Sequence, residues 1–269
     1  MEFFDNHSHY NDEKFDEDRE DIILKTKEDG ITKFNCVGYD VPSSKFSLEL
    51  ANQYPFIYAI CGVSPNDVVQ ELKDIDSQIS EIENLIKSDL KNKIVAVGEI
   101  GLDYYWNKEN KEIQKATFIK QIELANKYSL PIAIHTREAV QDTLEILKNN
   151  NVTKKGVFHC CPLNRELVKE ALKLDFYISF AGPITFKNSK NASEIVNLVP
   201  LNKMLIETDS PYLAPEPKRG TRNDSRNVKI IASKIAEFRG ISLEEVASQT
   251  YKNTLNLFEK IKNDNLNNI

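Results

Sequence analysis

No apolar run in this 269-residue sequence approaches the roughly 20 residues needed to span a bilayer, which argues against a helical membrane protein. The opening residues, Met1-Glu2-Phe3-Phe4-Asp5, lack a basic segment leading into an apolar one. No signal peptide is expected, and the cytosol is the expected location. Cysteine is sparse, with Cys36, Cys61, Cys160 and Cys161 and no Cys-x-x-Cys pair. A disulfide framework is not expected in a chain of this size without a secretory signal, so the thiols are read as buried small apolar residues. An excess of positive charge is also missing. A net charge of −6 argues against a protein that grips nucleic acid through a broad basic surface. It leaves a phosphodiester substrate open, because bound divalent cations reverse the local sign inside a site. No fixed-period repeat or low-complexity linker interrupts the chain, and a single domain over 1–269 is expected.

What the chain does have is a rhythm. Short β-rich apolar runs alternate with longer amphipathic stretches, the signature of βα units around a parallel sheet. Strands are expected near 2–7, 31–37, 57–61, 94–99, 131–135, 156–160, 176–181 and 204–209. Helices are expected near 16–29, 43–53, 75–90, 109–129, 138–150, 164–173, 189–199 and 225–239. Eight strands, each followed by a helix, predict a (β/α)8 TIM barrel of the α/β class. Gly240 has the properties of a helix stop, and Ser242 with Glu245 has capping-box spacing. One additional C-terminal helix is therefore expected, with Leu255, Leu257 and Phe258 packing, followed by a frayed Asn-rich tail over 263–268.

Histidine is as scarce as cysteine, and its placement is uneven. All four, His7, His9, His135 and His159, fall at or just past the C-terminal ends of expected strands. Barrel enzymes carry their chemistry at that rim. His7 and His9 form a His-x-His pair, which a strand turns to one face. Glu99 and Asp209 end two other expected strands. Imidazoles and carboxylates converging at one height suit divalent metal ions.

Five segments together resemble one family. They are Asp5-Asn6-His7-Ser8-His9, Val97-Gly98-Glu99-Ile100-Gly101-Leu102-Asp103-Tyr104-Tyr105, Ile134-His135-Thr136-Arg137, His159-Cys160, and Glu207-Thr208-Asp209-Ser210-Pro211-Tyr212-Leu213. In this order they resemble the TatD family of metal-dependent deoxyribonucleases, nearly end to end. The resemblance implies an amidohydrolase-type barrel and divalent-metal hydrolysis of nucleic-acid phosphodiesters, usually from 3′ ends. Two segments depart from the family pattern. Gly62-Val63-Ser64-Pro65-Asn66 stands where relatives commonly carry Gly-x-His-Pro-His, and Cys161-Pro162-Leu163 stands where they continue Phe-Ser-Gly after His159-Cys160.

The expected cofactors are two divalent ions per subunit, Mg2+, Zn2+ or Mn2+. His7, His9 and Asp209 would hold one, His135 and His159 the other, and Glu99 would bridge them. Asp209 and Glu99 are the expected catalytic residues, Asp209 accepting the proton of the attacking water. Glu207 is expected behind a ligating histidine. Arg137 is a candidate phosphate contact, and Tyr104, Tyr105 and Trp106 are candidates to stack on a terminal base. Ser64, Asn66 and Arg219 are further candidate substrate contacts, and Arg222 a candidate backbone contact. The expected partner is DNA, single-stranded or at 3′ ends, with no membrane and no obligate protein partner. The same ligands would also serve another ester or amide, such as an aminoacyl-tRNA linkage, and a non-enzymatic barrel scaffold is the remaining alternative.

Overall fold

The computed structural model describes residues 1–264. Strands and helices alternate: β1 (Phe3–Ser8), α1 (Arg19–Glu28), β2 (Ile31–Val37), α2 (Val41–Gln53), β3 (Ile57–Cys61), α3 (Ile75–Ser88), β4 (Ile94–Asp103), α4 (Lys111–Lys127), β5 (Ile132–Arg137), α5 (Val140–Asn149), β6 (Gly156–Phe158), α6 (Arg165–Lys173), β7 (Tyr177–Phe180), α7 (Ala192–Leu198), β8 (Met204–Ile206) and α8 (Val228–Arg239). The strands succeed one another in chain order in one eight-stranded sheet, which is the expected (β/α)8 barrel fold. Two further helices, α9 (Leu243–Leu257) and α10 (Glu259–Asp264), follow where one was expected. Of the expected frayed tail, residues 265–268 lie outside the described residues. No described helix is long and apolar enough to cross a membrane.

The chain forms two compact units. The first comprises Met1–Asn35 and His159–Asn256 and carries β1, β7 and β8. The second comprises Cys36–Phe158 and the residues from Leu257 on, and carries β3 to β6.

In the second unit β4 is the central strand, and all ten of its residues are buried. A parallel strand covered on both faces needs a continuous apolar run, which Ile94-Val95-Ala96-Val97 supplies. β4 pairs in parallel with β3 (Ala59 with Ile94) and with β5 (Gly101 with His135, Asp103 with Arg137). It continues four residues past the expected end at Glu99, because Ile100 and Leu102 also pair, with Ile134 and Thr136. Glu99 therefore sits inside the strand and Asp103 closes it. Gly101 has φ +138°, and a Cβ there would lie 2.0 Å from the His135 carbonyl oxygen. Only glycine lets β4 pass that close to β5.

The helices follow from their sequences. α3 buries Ile75, Ile79, Ile82 and Ile86, spaced along one face. Burying one such side chain contributes roughly 1.5–3 kcal/mol. The Asp40 carboxylate accepts from Ser43 N at 2.7 Å while the Ser43 hydroxyl accepts from Asp40 N at 2.9 Å, a reciprocal cap that starts α2. Two buried glutamines of α4 fix the strand ends. Gln121 accepts from Val63 N and donates to Val63 O. Gln114 accepts from Asp103 N at 2.8 Å and donates to Asp103 O at 3.1 Å.

In the first unit β7 pairs in parallel with β8 (Ile178 with Met204, Phe180 with Ile206), and Ser8 bridges Ser210 just beyond β8. The Asn6 amide donates to Ile206 O at 2.9 Å and to Thr254 of α9 at 3.0 Å. α8 ends at Gly240, φ +62°, and the Ser242 hydroxyl accepts from Glu245 N at 3.1 Å, as expected for a stop followed by a new start. Leu257 and Phe258 are buried, while Leu255 is half-buried. β6 and β8 end at Phe158 and Ile206, earlier than expected. His159 and Glu207 to Asp209 thus lie on the connections after the strands. Cys36, Cys61 and Cys161 are buried as expected; Cys160 is half-buried, because the backbone turns there at φ +35°.

Candidate functional site

Each unit gathers part of the expected set. In the first, His7 lies next to the end of β1 and His9 directly follows the strand, with His7 Nε2 and His9 Nε2 3.2 Å apart. Asp209 Oδ1 lies 3.2 Å from His9 Nε2 and 3.8 Å from His7 Nε2. These three donor atoms form a compact group. The backbone places them: Asp209 N donates to His7 O at 2.9 Å, His9 N donates to Ser210 O at 2.7 Å, and Asp209 itself is left-handed at φ +56°. Asp is among the residues that tolerate that conformation. A buried carboxylate, Asp5, steadies the turn by accepting from Thr208 N at 2.8 Å and from the Thr208 hydroxyl at 2.5 Å. Burial pushes the Asp5 carboxyl up to about 7.

His159 stacks flat on His7, ring centroids 3.9 Å apart at 12°. Its Nδ1 lies 3.3 Å from Glu207 Oε1, which also accepts from Cys160 N at 2.5 Å. Glu207 is fully buried, and its Oε2 has no hydrogen-bond partner. Burial acts to raise the Asp209 carboxyl. The His9 hydrogen bond and the positive charge of His159, His7 and His9 outweigh it, and the group sits at about 2.

In the second unit the His135 ring stands between two carboxylates. Its Nδ1 is 2.9 Å from Glu99 Oε1 and its Nε2 is 3.0 Å from Asp103 Oδ2. Burial acts to raise Asp103 as well, but hydrogen bonds from His135 and the Trp106 amide, with the His135 charge, hold it at about 2. Asp103 was not among the expected site residues. The sequence pattern predicts a strand end at Glu99; with the strand running to 103, the two-residue alternation puts Asp103 on the side of Glu99.

Donor chemistry and spacing fit divalent ions in both clusters. An ion with bonds of roughly 2.0–2.1 Å in tetrahedral array sets its donors about 3.3 Å apart. The distances among His7, His9 and Asp209, 3.2, 3.2 and 3.8 Å, bracket that spacing. In the other cluster an imidazole nitrogen and a carboxylate oxygen approach to 2.9 Å, where two lone pairs repel unless a proton or a cation lies between them.

The expected substrate contacts divide. Tyr104 is buried, donates its hydroxyl to Asp142 at 2.7 Å and lies under Lys111, so it does not offer a face to a base. Tyr105 and Trp106 are 45% and 68% exposed, and the exposed Arg137 guanidinium stacks 3.8 Å over Tyr105. Ser64 is buried and spends its hydroxyl on Asp67 at 2.6 Å, whereas exposed Asn66 donates to Asp103 at 3.3 Å. Arg219 lies over Phe186 at 4.0 Å. Arg222 pairs with Asp18 through both guanidinium nitrogens, at 2.8 and 2.6 Å, which ties it into the protein surface.

The family model described as TatD related DNase matches residues 4–259. The chain belongs to this family. Among its relatives, the uncharacterized metal-dependent hydrolase YabD of Bacillus subtilis (strain 168) is 41% identical, covering 95% of this chain and 98% of that protein. The uncharacterized metal-dependent hydrolase YcfH of Escherichia coli (strain K12) is 35% identical, covering 96% of each. The crystal structure of YJJV, a TatD homologue from Escherichia coli K12, superimposes with a TM-score of 0.88 at 25% identity, covering 96% of this chain and 98% of that one. The chain therefore shares sequence with proteins named as metal-dependent hydrolases, and its fold with a protein named as a TatD homologue.

Proposed function

We propose that this TatD-family protein is a divalent-metal-dependent hydrolase that cleaves DNA phosphodiester bonds, working inward from 3′ ends of single strands. The observation that carries the reading is the convergence of His7 Nε2, His9 Nε2 and Asp209 Oδ1 within 3.2–3.8 Å in a chain of this family. His7, His9 and Asp209 would hold an ion, and His135, His159 and Glu99 are the further proposed ligands. Ions bound there would lower the pKa of a water towards neutrality and offset charge on the phosphate oxygens.

The protein's own groups supply the rest. Asp209 is ionised throughout the neutral range and so can accept a proton at its carboxylate. Glu207 Oε1 lies 3.3 Å from His159 Nδ1, behind the ring, where a carboxylate would help orient a ligating imidazole. Arg137 has its face taken by Tyr105 but keeps its N–H edge for a phosphate, which a guanidinium matches bidentately. Tyr105 and Trp106 offer exposed rings for an unpaired base. A cytosolic location accords with this role.

The test is a substrate panel of single- and double-stranded DNA, RNA, abasic DNA and an aminoacyl ester, with and without chelator. Metal-dependent release of nucleotides from the 3′ end of single-stranded DNA is expected. Cleavage of the aminoacyl ester alone, or full activity in excess chelator, overturns the reading.

A further inference from the structure

The Asp103 carboxylate has four donors on it, and they come from three different segments. Oδ1 accepts from Tyr105 N at 2.9 Å and Trp106 N at 3.0 Å. Oδ2 accepts from Asn66 at 3.3 Å and faces His135 Nε2 at 3.0 Å. Its own backbone is clamped by Gln114, and its side chain is buried. A carboxylate in that position is fixed on all sides and can only accept. Glu99 is an acceptor on the other side of the ring, so in the metal-free protein both ring nitrogens can be protonated; once an ion occupies the Glu99 side the ring keeps a single proton, and it lies on Nε2 facing Asp103. That leaves Nδ1 as the lone-pair nitrogen, on the side of Glu99 Oε1 at 2.9 Å.

We propose that Asp103 is a positioning residue with two outputs. It makes Nδ1 the metal-ligating atom of His135, and it sets the turn that presents Tyr105 and Trp106 beside Arg137. The inference rests on the reading of His135 as a metal ligand. A carboxylate behind a ligating imidazole fixes its tautomer and raises its basicity, and losing such a partner typically weakens metal affinity by about 10–100-fold. The second output follows from the cap. Without Oδ1 the amides of residues 105 and 106 lose their acceptor, and the platform loses its floor.

Two substitutions separate the outputs. In Asp103→Asn the side-chain oxygen satisfies two backbone amides in one orientation and a single imidazole in the other. The first is favoured, and it turns the NH2 group towards His135 Nε2. Two donors then meet, so the ring gives up its Nε2 proton and takes one at Nδ1. The turn survives while the tautomer inverts. In Asp103→Ala both are lost.

The experiment uses the full chain, stripped of metal and titrated with Zn2+ and with Mn2+ by calorimetry. Trp106 is the sole tryptophan, so its fluorescence anisotropy reports the turn directly. With only four histidines, the ring nitrogen resonances of the zinc-loaded protein are separable. The expected result is a 10–100-fold loss of affinity in one binding step for both variants, with Trp106 anisotropy unchanged in Asp103→Asn and lowered in Asp103→Ala. Wild-type His135 should carry its proton on Nε2. Wild-type affinity in Asp103→Asn, or a wild-type His135 protonated on Nδ1, overturns the inference and leaves the metal reading intact. Absence of divalent-ion binding to the wild type sinks both. Should Asp103→Ala fail to fold, Asp103→Asn still decides.

Discussion

Replacing Gly101 by alanine should damage this protein far more than one methyl group suggests. Two costs add at that position. The backbone has φ +138°, outside the range L-residues readily adopt, and the new Cβ would lie 2.0 Å from His135 O and 3.0 Å from His135 C. Ordinary contact begins near 3.4 Å, so β4 and β5 must separate by more than an ångström where Gly101 pairs with His135. β4 is buried there and His135 is half-buried, and a tightly packed interior cannot absorb such a shift. The backbone term alone is about 1–3 kcal/mol. Overpacking adds typically 1–3 kcal/mol. A total near 3 kcal/mol lowers the folded-to-unfolded ratio by roughly 150-fold.

Gly240 provides the control. It also has positive φ, at +62°, but a Cβ there meets nothing within 4 Å. Gly240→Ala should show the cost of an ordinary left-handed residue, about 1–2 kcal/mol, without the clash. Urea denaturation of both variants, followed by circular dichroism in chelator, measures the difference. Gly101→Ala should be the less stable by at least about 1 kcal/mol. Its metal affinity should also fall, because the strand that moves carries His135. Equal destabilisation of the two variants would refute the close-approach argument.

Three other outcomes are expected. Glu99→Gln and Asp209→Asn should each lose kcat by about 10³-fold or more, while Arg137→Ala mainly raises KM, since it removes binding shared by ground and transition states; steady-state kinetics on a single-stranded oligonucleotide will separate these effects. Saturating divalent metal should raise the melting temperature relative to chelator, with about 2.7 kcal/mol of stabilisation at 100 times the Kd, and an unchanged melting curve would contradict a site formed only in the folded state. Burial lowers the pKa of Lys260, which donates to Ile94 O at 3.1 Å, so its stabilising contribution is present above its unfolded pKa and is lost as pH falls through the lowered folded value. The metal-free wild type should gain stability as pH rises from neutrality towards 10, and Lys260→Met should flatten that slope in urea midpoints measured across the range.

The sequence by itself determined the fold. Eight β-rich runs and their intervening amphipathic helices are local patterns, set by periodicity and side-chain volume, and each expected element is present near its expected place. It also supplied the candidate ligands, because scarce histidines at strand ends and short motifs such as Glu207-Thr208-Asp209 are visible in one dimension. Tertiary structure decided what stands behind them. Asp103 became part of the His135 environment only because β4 runs on through Ile100 and Leu102 to pair with β5, a choice made by the neighbouring strand. Tyr104 and Trp106 are near neighbours of similar chemistry, yet one is buried against Asp142 and the other is exposed, since the Asp103 turn changes the direction of the chain between them. Ser64 and Arg222 read as candidate substrate and backbone contacts in the sequence, and the fold gives them Asp67 and Asp18 as partners. Periodicity reports which face a residue occupies, while hydrogen bonds between distant segments depend on register and turn geometry, which no local pattern encodes.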